Sequence, residues 1–144
     1  MQFFDTGLIE ERLKDPQFGI EQVGGAADYA AVKSLAEFRP GSVYVVMVGE
    51  TNPTGNQPQP QFKAPAMATF GVIIAARNYR DQTGKAALND IVTLAGNVRS
   101  ALLGWAPKGA KPCVWQEGNV AGYDRSTLLW IDVFTTTHVL GGSS

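Results

Sequence analysis

The residues of this chain that are able to carry chemistry are few and lie far apart. Cys113 is the only cysteine and His138 is the only histidine. A nucleophile needs a base within hydrogen-bond reach, and a zinc site needs about four Cys, His or acidic ligands. The sequence offers neither set, so we predict no catalytic residue and no metal site. We expect His138 to be a surface residue or a subunit contact, and Cys113 to be a small buried side chain.

The acidic residues show no pairing that would separate a catalytic carboxylate from a solvated one. Asp132 is the most unusual, because it interrupts an apolar strand. We expect it to face solvent, a bulge or a subunit interface rather than a substrate. The glycine-containing segment Gln22–Asp28 has neither the G-x-G-x-x-G fingerprint nor the Lys-Ser/Thr pair of a phosphate-binding loop, so no cofactor is predicted.

The composition is that of a protein with a nearly neutral surface. The length of 144 residues predicts one domain over residues 1–144. Charged residues are 17%, below the usual ~25%, which is compatible with extensive subunit contacts or with a surface rich in neutral polar residues. The net charge of −1 and the scattered basic residues argue against sequence-specific nucleic-acid binding. We expect no membrane span and no secretory signal, and hence a soluble protein made inside the cell.

Hydrophobic periodicity predicts eight elements in the order αβαββαββ. The predicted helices cover residues 5–14, 26–38 and 85–103, and the predicted strands cover residues 18–23, 42–48, 68–79, 113–116 (with a possible extension past 118) and 127–136. In the last strand, Leu129, Ile131 and Val133 face one way, and Trp130, Asp132 and Phe134 face the other. This order favours an α+β fold with a mixed or mostly antiparallel sheet and flanking helices.

A long connection, Gly49–Pro65, separates two of these strands. It is rich in proline and in neutral amides, which remove ladder donors and bury little apolar surface. We expect a flexible, exposed loop, which is either disordered or a segment that becomes ordered when a partner binds. Residues 141–144 are expected to form a mobile tail.

Three sequence segments together resemble a known family. They are QVGGAADYAAV at Gln22–Val32, FGVIIAARNYRD followed by GKAALNDIVTLAGNVRSALLGWAP within Phe70–Pro107, and LLWIDVFTTTH at Leu128–His138. In order and spacing, the chain from about Phe18 to His138 resembles the tail terminator proteins of long-tailed bacteriophages and of phage-tail-like particles.

The resemblance implies a structural role, no enzymatic activity and a compact domain with a sheet and helices. Such proteins form a homo-oligomeric ring, typically of six subunits, that caps the tail tube, stops its polymerisation and offers a surface for head joining. The implied partners are further copies of the chain, the tail tube protein and a head-completion or connector protein; the genome can pass through the lumen. The implied location is the head-proximal end of the virion tail, after synthesis in the host bacterial cytoplasm.

The resemblance also directs attention to interfaces. The candidate contact surfaces are the loop Gly49–Pro65, the turn Tyr79–Gly84 and the loop Trp105–Pro112. The candidate interface residues, with the arginines as inter-subunit or lumen-facing contacts, are Asn52, Gln57, Gln59, Gln61, Arg77, Arg80, Arg99 and Asp132. Two alternatives stay open: a head–tail connector or stopper of the same particle, and a small α+β ligand-binding domain or enzyme, which an apolar pocket with convergent carboxylates would favour.

Overall fold

The computed structural model describes residues 3–53, 63–77, 91–124 and 127–141. Within these ranges the helices and strands follow the predicted order, with two additional 3-10 turns. The elements are α1 (Gly7–Leu13), a 3-10 turn (Pro16–Phe18), β1 (Gln22–Gly24), α2 (Ala26–Ala31), a second 3-10 turn (Leu35–Glu37), β2 (Ser42–Thr51), β3 (Lys63–Arg77), α3 (Ile91–Leu102), β4 (Val114–Tyr123) and β5 (Thr127–Gly141).

The five described strands form one mixed sheet in the order β1-β2-β3-β5-β4. β1 pairs with β2 in parallel, and the other three pairs are antiparallel. β3 and β5 pair over their full length, from Lys63↔Gly141 to Arg77↔Thr127. The α+β fold with a mixed sheet and flanking helices is therefore confirmed.

One face of the sheet, called here the front, carries the larger core. Ile9 and Leu13 of α1 and Val98 of α3 are fully buried against it. Phe4, Phe70 and Phe134 form a row of stacked rings, with centroid separations of 6.0 and 5.6 Å. The predicted alternation in β5 holds, because Phe134 and Trp130 contribute to this front core while Leu129 and Ile131 pack on the opposite face, the back.

The back of the sheet is covered by a smaller cluster, and here the predicted helix over residues 26–38 is wrong. α2 ends at Ala31, because Val32 has an extended backbone (φ −80°, ψ 125°), and the chain resumes as the 3-10 turn Leu35–Glu37. None of the residues of α2 is buried, so a longer helix would gain no apolar contact. The break instead brings Phe38 against Tyr29 and Tyr44, with ring centroids 5.6 Å apart in each pair.

The strands β2 and β3 extend into the connection that was predicted to be a loop. β2 continues to Thr51 and β3 begins at Lys63, so Pro65 lies in a strand. The β2 ladder ends at Thr51↔Met67, whereas Pro65 pairs with Val139 of β5. Pro65 is tolerated because it has a neighbouring strand on one side only. The rest of the predicted loop, residues 54–62, lies outside the described residues.

Other element boundaries also differ from the predicted ones. The predicted strand over residues 18–23 shrinks to β1, because Asp15 caps a 3-10 turn at Pro16–Phe18 by accepting a hydrogen bond from the Gln17 N–H at 3.1 Å. β4 extends to Tyr123 and β5 to Gly141. The turn before α3 and the tail 142–144 lie outside the described residues, and the assignment of residues 1–144 to one domain stays a prediction.

Candidate interaction surface

A buried carboxylate organises the region between α3 and β4. Asp132 of β5 is fully buried. Its Oδ2 accepts a hydrogen bond from Arg99 Nε at 2.8 Å, and its Oδ1 accepts from Arg99 Nη2 at 2.8 Å. Oδ1 also accepts hydrogen bonds from the indole N–H groups of Trp130, at 2.8 Å, and Trp115, at 3.2 Å. One carboxylate thus orients an arginine of α3 and a tryptophan from each of two strands.

The sheet register explains why these side chains meet. Gly118 is opposite Asp132, and Val120 is opposite Trp130, across the β4–β5 pair. A Cβ atom added at Gly118 would lie 2.5 Å from Trp130 Cζ2 and 2.8 Å from Asp132 Oδ1. The indole of Trp130 therefore packs over Gly118 in space that any other residue would occupy.

The electrostatics of this cluster are those of a structural ion pair. The hydrogen bonds from Arg99 to Asp132 raise the pKa of the Arg99 guanidinium, against a smaller opposing effect of burial. The guanidinium also stacks on Trp115, with 5.0 Å between its central carbon and the ring centroid. Because four N–H groups already bind the Asp132 carboxylate, it is poorly suited to act as a general base. The arrangement fixes side-chain positions rather than performing chemistry.

The outer side of this cluster is apolar. Val92 on α3, and Val120 and Tyr123 on β4, are exposed large side chains. A cavity of about 280 Å³ separates α3 from β5; its lining residues are Ile91, Val92, Ala95, Gly96, Arg99 and Trp130. It contains a cation already paired with Asp132 and no carboxylate among its lining residues. It therefore does not have the convergent carboxylates that would favour an enzyme.

A second buried polar pair lies at the far end of β2 and β5. His138 Nε2 is 3.3 Å from Glu50 Oε1, which also accepts a hydrogen bond from the Phe4 backbone N–H at 3.0 Å. His138 is buried and its ring packs against Phe4, with centroids 5.7 Å apart. The prediction that His138 is a surface residue is therefore wrong; the pair anchors the N-terminal segment to the sheet. A cavity of about 110 Å³ lies beside it, between the N-terminal segment and Lys108.

The thiol and the back groove offer no further chemistry. Burial raises the pKa of the Cys113 thiol to about 11, so the reactive thiolate is scarce near neutral pH, and the prediction of a buried cysteine is confirmed. A groove of about 410 Å³ between α2 and β4 is lined by apolar and small side chains together with Lys33. Within the described ranges, no three His, Cys, Asp or Glu side chains come close enough to share a metal ion.

The predicted interface residues divide into three groups. Arg99 and Asp132 are brought together and pair with each other, so the solvent-facing alternative for Asp132 is wrong. Asn52 follows the end of β2, Arg77 ends β3, both are exposed, and both have contacts within the chain. The four others, Gln57, Gln59, Gln61 and Arg80, lie outside the described residues, as does the predicted turn Tyr79–Gly84.

The sequence reasoning missed Trp115 and Gly118. Trp130 and Asp132 were correctly placed on one strand face, but Trp115 belongs to β4, and its approach depends on the β4–β5 register. That register contains two bulges, at Gln116 and Ala121, which no periodicity reveals. The Trp-Gln-Glu-Gly run preceding an apolar strand that contains Trp and Asp was the available signal.

The sheet, its two helical layers and the paired carboxylate define an α+β protein whose organised surface suits contact with other macromolecules. A comparison with protein families agrees: the family model for the phage tail terminator protein matches residues 1–144. The chain belongs to the phage tail terminator family, a family of structural tail components of the virion. No curated protein matches the sequence. In the described part of the chain, no helix is both long enough and apolar enough to cross a bilayer.

Proposed function

We propose that the protein caps the head-proximal end of the phage tail tube as a closed homo-oligomeric ring, with six subunits as the expected number. The observation that carries this proposal is the match of the terminator family over the whole chain. A ring of identical subunits needs heterologous contacts whose rotation closes. One ring face would copy enough of the tube surface to bind it, and the other face would refuse a further tube layer and receive the head-completion protein.

The shape of the protein is compatible with this role. The mixed sheet is packed by helices on both faces, so the monomer has its own core before assembly. The loops between strands then remain for contacts with the tube, and they include the predicted contact segment at residues 49–65. Deleting residues 52–61 would weaken ring or tube binding while leaving the sheet intact, since the β2 ladder with β3 ends at Thr51↔Met67. Unfolding of the isolated protein by this deletion would contradict that role for the loop.

Removal of the gene tests the capping function. A capping ring limits polymerisation, so its loss is expected to give tails of uncontrolled length. Electron microscopy of particles from a deletion strain, with the gene restored from a plasmid as the control, measures the length distribution. Tails of normal and uniform length that lack heads would instead support the connector or stopper alternative. Normal, head-bearing particles would contradict both roles.

A further inference from the structure

We propose that the front surface between α3 and β4 is the contact through which one copy of this chain binds the next. This surface, called the α3–β4 patch, is formed by Val92, Gly96, Arg99, Trp115, Val120 and Tyr123, with Trp130 beneath it. The inference rests on the proposed ring and identifies one of its two subunit faces. It comes from the exposure, order and charge of these side chains.

The patch is more apolar than the surface of a stable monomer should be. Val92 is 77% exposed, Val120 53%, Tyr123 60% and Trp115 39%. Since an aromatic side chain has about 150–250 Å² of surface, Trp115 and Tyr123 alone expose on the order of 200 Å². With the two valines, the patch reaches the range of a few hundred Å² that marks interaction sites. A standard interface buries about 800 Å² on each partner, so the patch can form the centre of one.

The patch is contiguous because of the sheet register. Residues directly opposite each other on antiparallel strands have side chains on the same face. Trp115 is opposite Phe134 and Val120 opposite Trp130, and both of these β5 residues belong to the front core. Tyr123 is opposite Leu128, which also packs in the front core. The cavity beside Trp130 then joins this row to α3.

The patch is also rigid before any partner arrives. Asp132 holds Trp115, Trp130 and Arg99 through four hydrogen bonds. Tryptophan, tyrosine and arginine are the residue types that contribute most at protein interfaces. Side chains that are already ordered lose little conformational entropy on binding. A carboxylate with no exposure and no catalytic partner is thus accounted for as a positioning group for an interface.

β4 is uncovered at the edge of the sheet, next to the patch. It is the last strand in the order and pairs only with β5 among the described strands. Protected edge strands usually carry lysine or proline, whereas the ten residues of β4 contain neither and include one charge, Glu117. The bulges at Gln116 and Ala121 interrupt the hydrogen-bonding edge, so we assign the contact to the side chains of the patch rather than to strand pairing.

The charge of the patch favours a second copy over a charged partner. Asp132 neutralises Arg99 within the monomer, so the patch has no uncompensated charge to attract an acidic or basic surface. The whole chain has a net charge of −1, so two copies repel each other weakly. Gly96 leaves open space above α3, with no heavy atom within 4 Å of an added Cβ. The backbone of an adjoining subunit can therefore approach the helix closely.

Two variants change the patch in different ways, and one variant serves as a matched control. Val120→Lys places a charge on β4 at its centre. Gly96→Leu fills the cavity with an apolar side chain on an exposed helix surface, where folding is not endangered. Val48→Lys makes the same change as Val120→Lys at a valine of β2 that is 57% exposed and lies outside the patch.

The measurement is the mass of the purified full chain against concentration, by native mass spectrometry and sedimentation velocity, alone and with tail tubes from a terminator-deficient strain. We expect the wild type and Val48→Lys to assemble equally, alone or on tube ends. We expect Val120→Lys and Gly96→Leu to require at least about tenfold higher concentration, the loss caused by removing one hot-spot contact. Circular dichroism verifies that each variant is folded.

Three outcomes would overturn the inference while leaving the capping function intact. The first is assembly of Val120→Lys and Gly96→Leu at the wild-type concentration. The second is normal self-assembly of these variants with loss of tube binding, which would assign the patch to the tube protein. The third is a wild type that caps tubes as a monomer. Failure of the capping function itself is detected separately, by uniform tail lengths in the deletion strain.

Discussion

Asp132 lies in the middle of an apolar strand, and both of its carboxylate oxygens accept hydrogen bonds from side-chain N–H groups. An unpaired carboxylate at this depth would be strongly unfavourable. The pairing with Arg99 satisfies the charge without exposing it, because Arg99 reaches the carboxylate from the helix above. Removing one partner of such a pair leaves the other with unsatisfied groups, and the cost of that is greater than the net value of the pair.

Asp132→Asn tests this at the residue scale. The amide keeps the volume but removes the charge and replaces an acceptor with a donor that faces other donors. We expect a loss of about 2–3 kcal/mol in the free energy of unfolding, at the lower end for a buried pair because water can solvate part of Arg99. Urea denaturation followed by far-UV circular dichroism measures it. Glu117→Gln, at an exposed carboxylate on the adjacent strand, should leave the midpoint unchanged; an unchanged midpoint in Asp132→Asn would contradict the assigned role.

At the scale of the elements, two glycines with opposite surroundings explain how α3 and β4 flank Trp130. Gly118 on β4 is covered by the Trp130 indole, whereas Gly96 on α3 faces open space. The first glycine is required for packing. The second lowers helix stability with no compensating contact in the monomer.

The same substitution at these two glycines should therefore have opposite effects. Gly118→Ala forces Trp130 and Asp132 apart and is expected to destabilise the fold by about 1–3 kcal/mol. Gly96→Ala is expected to stabilise it by about 0.5–1 kcal/mol, the usual difference in helix propensity. Thermal unfolding of both variants, compared with the wild type, gives the two signs. A loss of stability in Gly96→Ala would show that the helix backbone there is not as open as described.

The sequence predicted the elements that depend on local pattern and missed those that depend on distant contacts. The α3 stripe, the β5 alternation and the glycine after α3, Gly104 with φ +76°, follow from periodicity and backbone preference. The break after α2 does not, because it is driven by Phe38 packing on Tyr29 and Tyr44. The Asp132 cluster joins β4, β5 and α3, so its partners could not be found from the spacing within any one element.

At the scale of the whole molecule, the ring proposal predicts that the α3–β4 patch governs tail length. A terminator that assembles poorly caps growing tubes late, so tubes gain extra subunits before they are sealed. A deletion strain that expresses Val120→Lys is expected to produce a longer and broader tail-length distribution than one that expresses Val48→Lys. Electron microscopy measures the lengths, and immunoblotting verifies equal expression. Equal distributions in the two strains would separate the patch from length control.

The pairing of β3 with β5 has a consequence for how the chain reaches its native state. Arg77 pairs with Thr127, so the two central strands meet only after a segment of about fifty residues closes on itself, which is entropically costly and slow. During translation, a chain that has not yet been synthesised through β5 has no centre to its sheet. Such nascent chains therefore cannot form the docking surface, and only chains released with β5 in place are competent to enter a growing particle.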